Sequence, residues 1–198
     1  MTTNHKNHPF KIFSAWYEEA QQCAQIKDAS AMCLSTANRH GAPSSRMVLL
    51  KGVDQNSFIF YTNLGSRKSH EMEENQAVAL CFYWPELGKQ VRVEGHVERT
   101  SNQESDAYFA VRPRESQIGA WASRQSEELG DRQVLKDAFA KFQAEFAGKE
   151  TISRPENWGG WHVFPERVEF WEEGKHRLHK RRLLVRESSG WVETLLYP

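Results

Sequence analysis

No segment of the 198-residue chain is apolar over the roughly 20 residues that a membrane-spanning helix requires. The first ten residues, MTTNHKNHPF, lack the hydrophobic stretch of a secretion signal, so a soluble, cytoplasmic protein is expected. Cysteine is scarce: Cys23, Cys33 and Cys81 are widely spaced, form no C-x-x-C and make no metal-like cluster with histidine. Reduced core cysteines and no metal site are expected. An excess of one charge is also missing. The 26 Lys+Arg are matched by 26 Asp+Glu, which argues against a general nucleic-acid binder. There is no G-x-G-x-x-G, P-loop, H-E-x-x-H or G-x-S-x-G, which sets aside the common dinucleotide, kinase-like, zinc-peptidase and hydrolase-elbow sites.

Aromatic side chains are plentiful, with 7 Trp, 5 Tyr and 11 Phe. They supply large apolar area for one core, so residues 1–198 are read as a single domain. Apolar residues recur at three and four from Phe10 to Ile26, the period of an amphipathic helix. Strand-like runs follow at 30–37, 44–53, 57–62, 76–84 and 89–100, linked by hairpin turns. A short helix with Ser66 as N-cap and Asn75 at its end interrupts them. The middle, 102–111, 114–123 and 131–148, reads as helical. Strands return as WHVF, RVEFWEE, HRLHKRRLLVRE and WVETLLY. The order predicts an α+β fold around a closed or nearly closed antiparallel barrel with flanking helices.

Several segments combine cations with hydroxyls. In NLGSRK, a helix start could turn backbone N–H groups, Ser66, Arg67 and Lys68 toward one anion; an ordinary capped surface helix explains it equally well. In SRMVLLKG, Arg46 and Lys51 bracket an apolar strand, and solvent-facing charges would do the same. YFAVRPRES puts Tyr108 and Arg112 on one helical face, with Ser116 beyond Pro113. As a strand, KHRLHKRR (175–182) would place Lys175, Arg177, His179 and Arg181 on one face, opposite His176, Leu178, Lys180 and Arg182. Cations guarding a sheet edge are the bland explanation, but the neighbouring WGGWHVF and VEFWEE are too aromatic for a purely polar surface. A planar anionic ligand would use both.

Taken in order, SRMVLLKG, FYTNLGSRKSHEMEEN, KQVRVEGHVER, YFAVRPRESQIGAWASRQS and NWGGWHVFPERVEFWEEGKHRLHKR closely resemble the pyridoxamine 5′-phosphate oxidase family, from about Pro9 to Pro198. The resemblance implies an FMN-binding split β-barrel, a homodimer with FMN at the subunit interface, and oxidation of pyridoxine or pyridoxamine 5′-phosphate by O₂. It assigns FMN contacts to Arg46, Met47, Val48, Leu49, Leu50 and Lys51, to Tyr61 and Thr62, and to Arg67 and Lys68. Gln90, Gln125, Ser126, Trp171 and Arg181 complete that set. For the substrate it implies Lys51, Tyr108, Arg112 and Ser116 around the phosphate, with Arg177, Leu178 and His179 at the ring, Arg177 and His179 being the catalytic pair. Two phosphates require two basic sites, which accounts for scattered cations in a chain of zero net charge. Lys180 stands where the family usually has an acidic residue, and strand parity turns it away from Arg181. A phenazine-biosynthesis FMN oxidase and a non-catalytic flavin-binding barrel are the alternatives.

Overall fold

The computed structural model describes residues 8–198; the first seven residues, part of the stretch read above for a secretion signal, lie outside them. In chain order the elements are α1 (Pro9–Gln22), β1 (Ala31–Ala37), β2 (Pro43–Leu49), β3 (Gly52–Val53), β4 (Phe58–Asn63), α2 (Arg67–Glu74), β5 (Ala77–Trp84) and β6 (Lys89–Arg99). They continue as α3 (Asn102–Ala110), α4 (Arg114–Ala122), α5 (Arg132–Glu145), β7 (Trp158–Glu172), β8 (Lys180–Glu187) and β9 (Gly190–Leu196). Among the described residues no helix is long and apolar enough to cross a membrane.

The strands run β2-β1-β5-β6-β7-β4-β3, all antiparallel, with β8 added to β7 and β9 to β8. Only Leu50 and Lys51 join β2 to β3, the two ends of the seven-strand path. Three peptide links span at most about 11 Å, so the sheet must curl until its ends nearly meet. The chain makes that crossing in two steps: Leu50 N–H bonds the Ser30 carbonyl, and Lys51 N–H bonds the Ile59 carbonyl on β4. The single strand expected over 44–53 is therefore two, because it changes pairing partner at the seam. The expected WHVF and RVEFWEE strands are instead one, β7, with Pro165 beside the register shift at Glu94/Gly95. The α1 helix stops at Gln22, short of Ile26, because Ile26 N–H turns back to the Cys23 carbonyl.

Alternate strand residues fill the barrel: Met32, Leu34, Phe58, Phe60, Phe82, Val93 and Phe170 are all buried. Helix α1 covers this core with Phe13, whose ring lies 4.8 Å from Phe58 and 5.0 Å from Phe82. Burying such a side chain contributes about 1.5–3 kcal/mol. A second apolar cluster, Phe109, Ile118, Phe146, Ile152 and Trp158, seats α3–α5 against the start of β7.

The other side of the sheet is read from its register, since directly opposed residues share a face. One row is Met47, Cys33, Cys81, Arg92 and Glu169; a second is Tyr83, Gln90, Trp171 and Arg181. This corrects the cysteine expectation. Cys33 and Cys81 are cross-strand neighbours on the outer face, half-buried and free, because their inward-facing neighbours Met32, Leu34, Leu80 and Phe82 occupy the core.

Candidate active site

The β2–β3 seam, β4 and the α3–α4 corner enclose a cavity of about 460 Å³. Met47, Val48, Leu49 and Lys51 line it from the seam, Tyr61 and Thr62 from β4, and Lys68 from α2. Tyr108, Arg112, Ser116 and Gln125 form the facing wall. An adjoining recess of about 350 Å³ is lined by Lys51, Tyr108, Arg112 and Ser116, with Leu49, Val111 and Pro113. The Tyr108–Arg112–Ser116 group expected from helical spacing thus converges with Lys51, which comes from the far end of the sheet path.

An aromatic stack sets this wall. The Tyr61 and Tyr108 rings lie 4.2 Å apart at 9°, and Tyr61 lies 5.3 Å from Trp158 at 3°. Gly160 faces Tyr61 in the register, and a Cβ there would sit 2.7 Å from the Tyr61 ring carbons, so only glycine leaves room for the stack. The Arg112 guanidinium carbon lies 4.6 Å from the Trp158 ring centroid, while its Nη1 is buried without a hydrogen-bond partner. Burial lowers the Arg112 pKa below the ordinary arginine value, against the opposing pull of Tyr108. A buried donor left unmatched costs about 1–3 kcal/mol, a cost that an anionic oxygen in the recess would remove.

On the other side of the cavity, Lys68 Nζ donates to Thr62 Oγ1 (3.0 Å), Ser66 Oγ (2.8 Å) and Gln125 Oε1 (2.6 Å). Burial, and then the nearby Arg46 charge, lower its pKa to about 8. Ser66 occupies the expected N-cap position, but its hydroxyl donates to the Asn63 carbonyl at 2.7 Å and caps no helix N–H. Lys68 is therefore a cation surrounded by neutral acceptors, with no carboxylate among those partners.

Arg46 and Arg67 do not line this cavity. Arg46 opposes Leu34, bonds Thr36 and Ser44, and lies 3.2 Å from Glu71 Oε2; Arg67 Nε lies 2.8 Å from Glu71 Oε1. Burial pushes the Glu71 carboxyl up, but hydrogen bonds from Ser44, Thr36, Arg67 and Arg46 outweigh it and hold the pKa at about 2. Leu50 is buried in the core, and Ser126 is exposed with φ 75° beside Gln125.

Gln90, Trp171, Arg177, Leu178, His179 and Arg181 also lie outside the cavity lining. The strand expected through KHRLHKRR begins only at Lys180; Lys175–Arg177 is a 3₁₀ turn with His176 at φ 57° and Arg177 at φ 64°. The cause is a tight chain reversal. A Cβ on Gly174 would lie 2.0 Å from the Leu178 carbonyl oxygen, Leu178 N–H bonds the Lys175 carbonyl, and Gly174 N–H donates to His179 Nδ1 at 3.2 Å. Strand parity therefore does not place Arg177 and His179 in a row with Arg181. His179 instead lies against Trp171, ring centroids 4.6 Å apart, and Trp171 opposes both Gln90 and Arg181. Arg181 grips Glu169 through Nε (2.7 Å) and Nη2 (3.0 Å) and donates to the Tyr197 carbonyl. Alternation does hold within β8: Arg182 turns the other way to Glu193, and Lys180 opposes Glu172 and is exposed.

Residues 18–146 match the family model described as pyridoxamine 5′-phosphate oxidase, and residues 158–198 match the pyridoxine 5′-phosphate oxidase C-terminal dimerisation region. The chain belongs to the pyridoxamine 5′-phosphate oxidase family. Relatives named pyridoxine/pyridoxamine 5′-phosphate oxidase include one from Rubrobacter xylanophilus, 53% identical over 96% of this chain and 87% of its own. Another, from Sphingopyxis alaskensis, is 48% identical over 100% of this chain and 91% of its own. Among solved structures, PhzG from Burkholderia lata, in complex with tetrahydrophenazine-1-carboxylic acid, superposes with a TM-score of 0.91 at 28% identity, covering 100% and 98% of the two chains. A pyridoxamine 5′-phosphate oxidase-related, FMN-binding protein from Nostoc punctiforme shares the fold at a TM-score of 0.77 and 18% identity, covering 96% and 98%. The fold is the split barrel of this family.

Several residues that line the cavity were not among those expected from the sequence. Gly119, Ala120 and Ser123 line the cavity with Ser116, a three-and-four spacing that marks one face of α4 and was readable. Asn63 and Trp158 also line it, and they oppose each other where β4 meets β7. No local pattern marks Glu71 as the acid that restrains Arg46 and Arg67.

Proposed function

We propose that this protein is an FMN-dependent oxidase of pyridoxine and pyridoxamine 5′-phosphates. The observation that carries the reading is the pair of adjoining concavities, one with Lys68, Thr62 and Gln125, the other with Lys51, Tyr108, Arg112 and Ser116. Each offers cations and hydroxyls suited to a phosphate, and the relatives' names supply the two phosphorylated compounds. The orphaned Arg112 Nη1 and the Lys68 ammonium fit such anions. When bound, FMN supplies the two-electron acceptor that no side chain here provides. The overall balance is pyridoxine phosphate plus O₂ to pyridoxal phosphate plus H₂O₂; the amine substrate also consumes water and releases ammonia.

The chain's own residues bind and orient. Lys51, Tyr108, Arg112 and Ser116 hold the substrate phosphate. Arg177 and His179 address the substrate ring, Arg177 as a fixed cation and His179 as a hydrogen-bonding partner in either protonation state. Met47 and Leu49, exposed on the outer face, offer apolar contact to a flavin ring. Gln90, Trp171 and Arg181 lie on that same face, which supports a homodimer in which one copy's β7–β8 region completes the other's cavity. The exposed Leu195 and Tyr197 near the C-terminus are further apolar area for such a contact.

Purified protein, incubated with each phosphorylated substrate in air, is expected to form pyridoxal 5′-phosphate and H₂O₂ and to release FMN, not FAD, on denaturation. A protein that cannot be loaded with FMN, or that oxidises a reduced phenazine carboxylate and neither B6 phosphate, overturns the reading.

Lys68 gives this reading a pH signature. Its charged form binds a phosphate, and with a pKa of about 8 that form dominates below pH 8 and is lost above it. FMN affinity of the apoprotein should therefore fall by up to about ten-fold per pH unit above pH 8, until the raised pKa of the complex is reached. Fluorescence titration checks this: a flat profile from pH 7 to pH 9.5, or the same slope in Lys68→Met, contradicts it.

A further inference from the structure

Arg154 belongs to the connection between α5 and β7 and lines neither concavity. Its side chain is only 11% exposed, and its donors point three ways. Nε donates to Asp106 Oδ1 at 2.6 Å, Nη2 to Asn102 Oδ1 at 3.0 Å, and Nη1 to the Trp158 carbonyl at 2.6 Å. Asn102 and Asp106 are four apart on α3, hence on one face. Trp158 is the first residue of β7 and stacks with Tyr61 and beneath Arg112. One planar guanidinium thus ties the helix bearing Tyr108 to the backbone of Trp158, the residue whose indole lies against Arg112.

We infer that Arg154 is a positioning residue for the substrate phosphate, fixing α3 relative to Trp158 so that Tyr108 and Arg112 face the recess. This rests on the oxidase reading given above. Arg154 touches neither substrate nor cofactor, and its effect passes through Tyr108 and Arg112. The planar fork matters, because an ammonium reaches one or two of the three acceptors and cannot hold them in one plane. Displacing a binding group by about 1 Å is enough to cost substantial activity.

The test uses FMN-loaded enzyme. Arg154→Ala should raise KM for pyridoxine 5′-phosphate about ten-fold and weaken equilibrium binding of pyridoxal 5′-phosphate by a similar factor, with kcat within about two-fold of the parent. Arg154→Lys should recover part of the loss. In an Arg112→Ala background the same Arg154→Ala change should add less than about two-fold, because both act on one contact. A role in stability alone would leave KM unchanged, or would lower kcat and flavin content together, and either result overturns the inference; so does full multiplication of the two variants' effects. Should Arg154→Ala not fold, Asn102→Ala removes one leg at the exposed helix start, and an unchanged KM there counts against the inference. A parent that binds pyridoxal 5′-phosphate but oxidises nothing defeats the oxidase reading, while the binding comparison still decides the role of Arg154.

Discussion

Arg112→Ala is expected to lower kcat/KM for pyridoxine 5′-phosphate by roughly 30- to 1000-fold, mainly through KM. The range corresponds to about 2–4 kcal/mol, the usual cost of truncating one partner of a buried, hydrogen-bonded charge pair. Arg112 holds its guanidinium against the Trp158 ring, yet Nη1 is buried with no acceptor. A buried donor without a partner is costly, and under the proposed function a phosphate oxygen would supply that partner. The phosphate takes no part in the bond change, and contacts made equally in the ground and transition states are lost through KM. Stability should change little. Removing the cation costs its stacking on Trp158 but also relieves the orphaned donor, so the melting temperature should stay within a few degrees of the parent's. Steady-state kinetics and thermal melts on the same samples check both parts. An unchanged KM, or a loss confined to kcat, would show that Arg112 does not hold the substrate phosphate.

The part of this site that was legible in the sequence is the part made by short-range periodicity. Tyr108 and Arg112 are four apart across the end of α3, and Ser116 opens α4, so helical geometry alone brings them near one another. Strand and helix order likewise followed from hydrophobic period, because the buried residues of β1, β4 and β5 alternate as a one-sided sheet requires. What could not be read was set by contacts distant in sequence. The break at Leu50–Lys51 exists because β2 and β3 end at opposite ends of the sheet path, and no local residue pattern marks that change of partner. Glu71 looked like any helix acid until β1 and β2 brought Thr36, Ser44 and Arg46 onto it.

KHRLHKRR departs from the expected strand for a different reason. Alternation was a sound rule applied to residues that are not a strand: two consecutive non-glycine residues, His176 and Arg177, have positive φ, a conformation that sequence propensities disfavour. Such strain persists only where the surrounding structure enforces it, and it is often found where a side chain must be aimed. The Gly174–Leu178 contact and the His179–Trp171 stack provide that enforcement here. Arg177 is thereby presented on a turn whose Leu178 is 70% exposed, outside the cavity that holds Arg112.

That separation leads to the second large effect. Arg177→Ala alone should lose about one to two powers of ten in kcat/KM, the value of a charge-assisted contact of about 1.5–3 kcal/mol. Arg112→Ala should likewise be impaired, as argued above. If Arg112 and Arg177 serve one site from different protomers, a dimer of one Arg112→Ala chain and one Arg177→Ala chain has one doubly damaged site and one whole site. The whole site takes Arg112 from the Arg177→Ala chain and Arg177 from the Arg112→Ala chain. Co-expression with two different affinity tags and purification through both would isolate this heterodimer. Its turnover should return to about half the parental value, because a two-fold dimer carries two equivalent sites. Two residues acting within one protomer predict the opposite: both sites of the heterodimer carry a lesion, and activity stays near that of the single variants. Failure to recover any species bearing both tags would contradict the dimer itself. A heterodimer that binds two FMN yet regains no activity would place Arg177 in the same protomer's site as Arg112, and would require the turn at Lys175–Arg177 to move toward its own cavity.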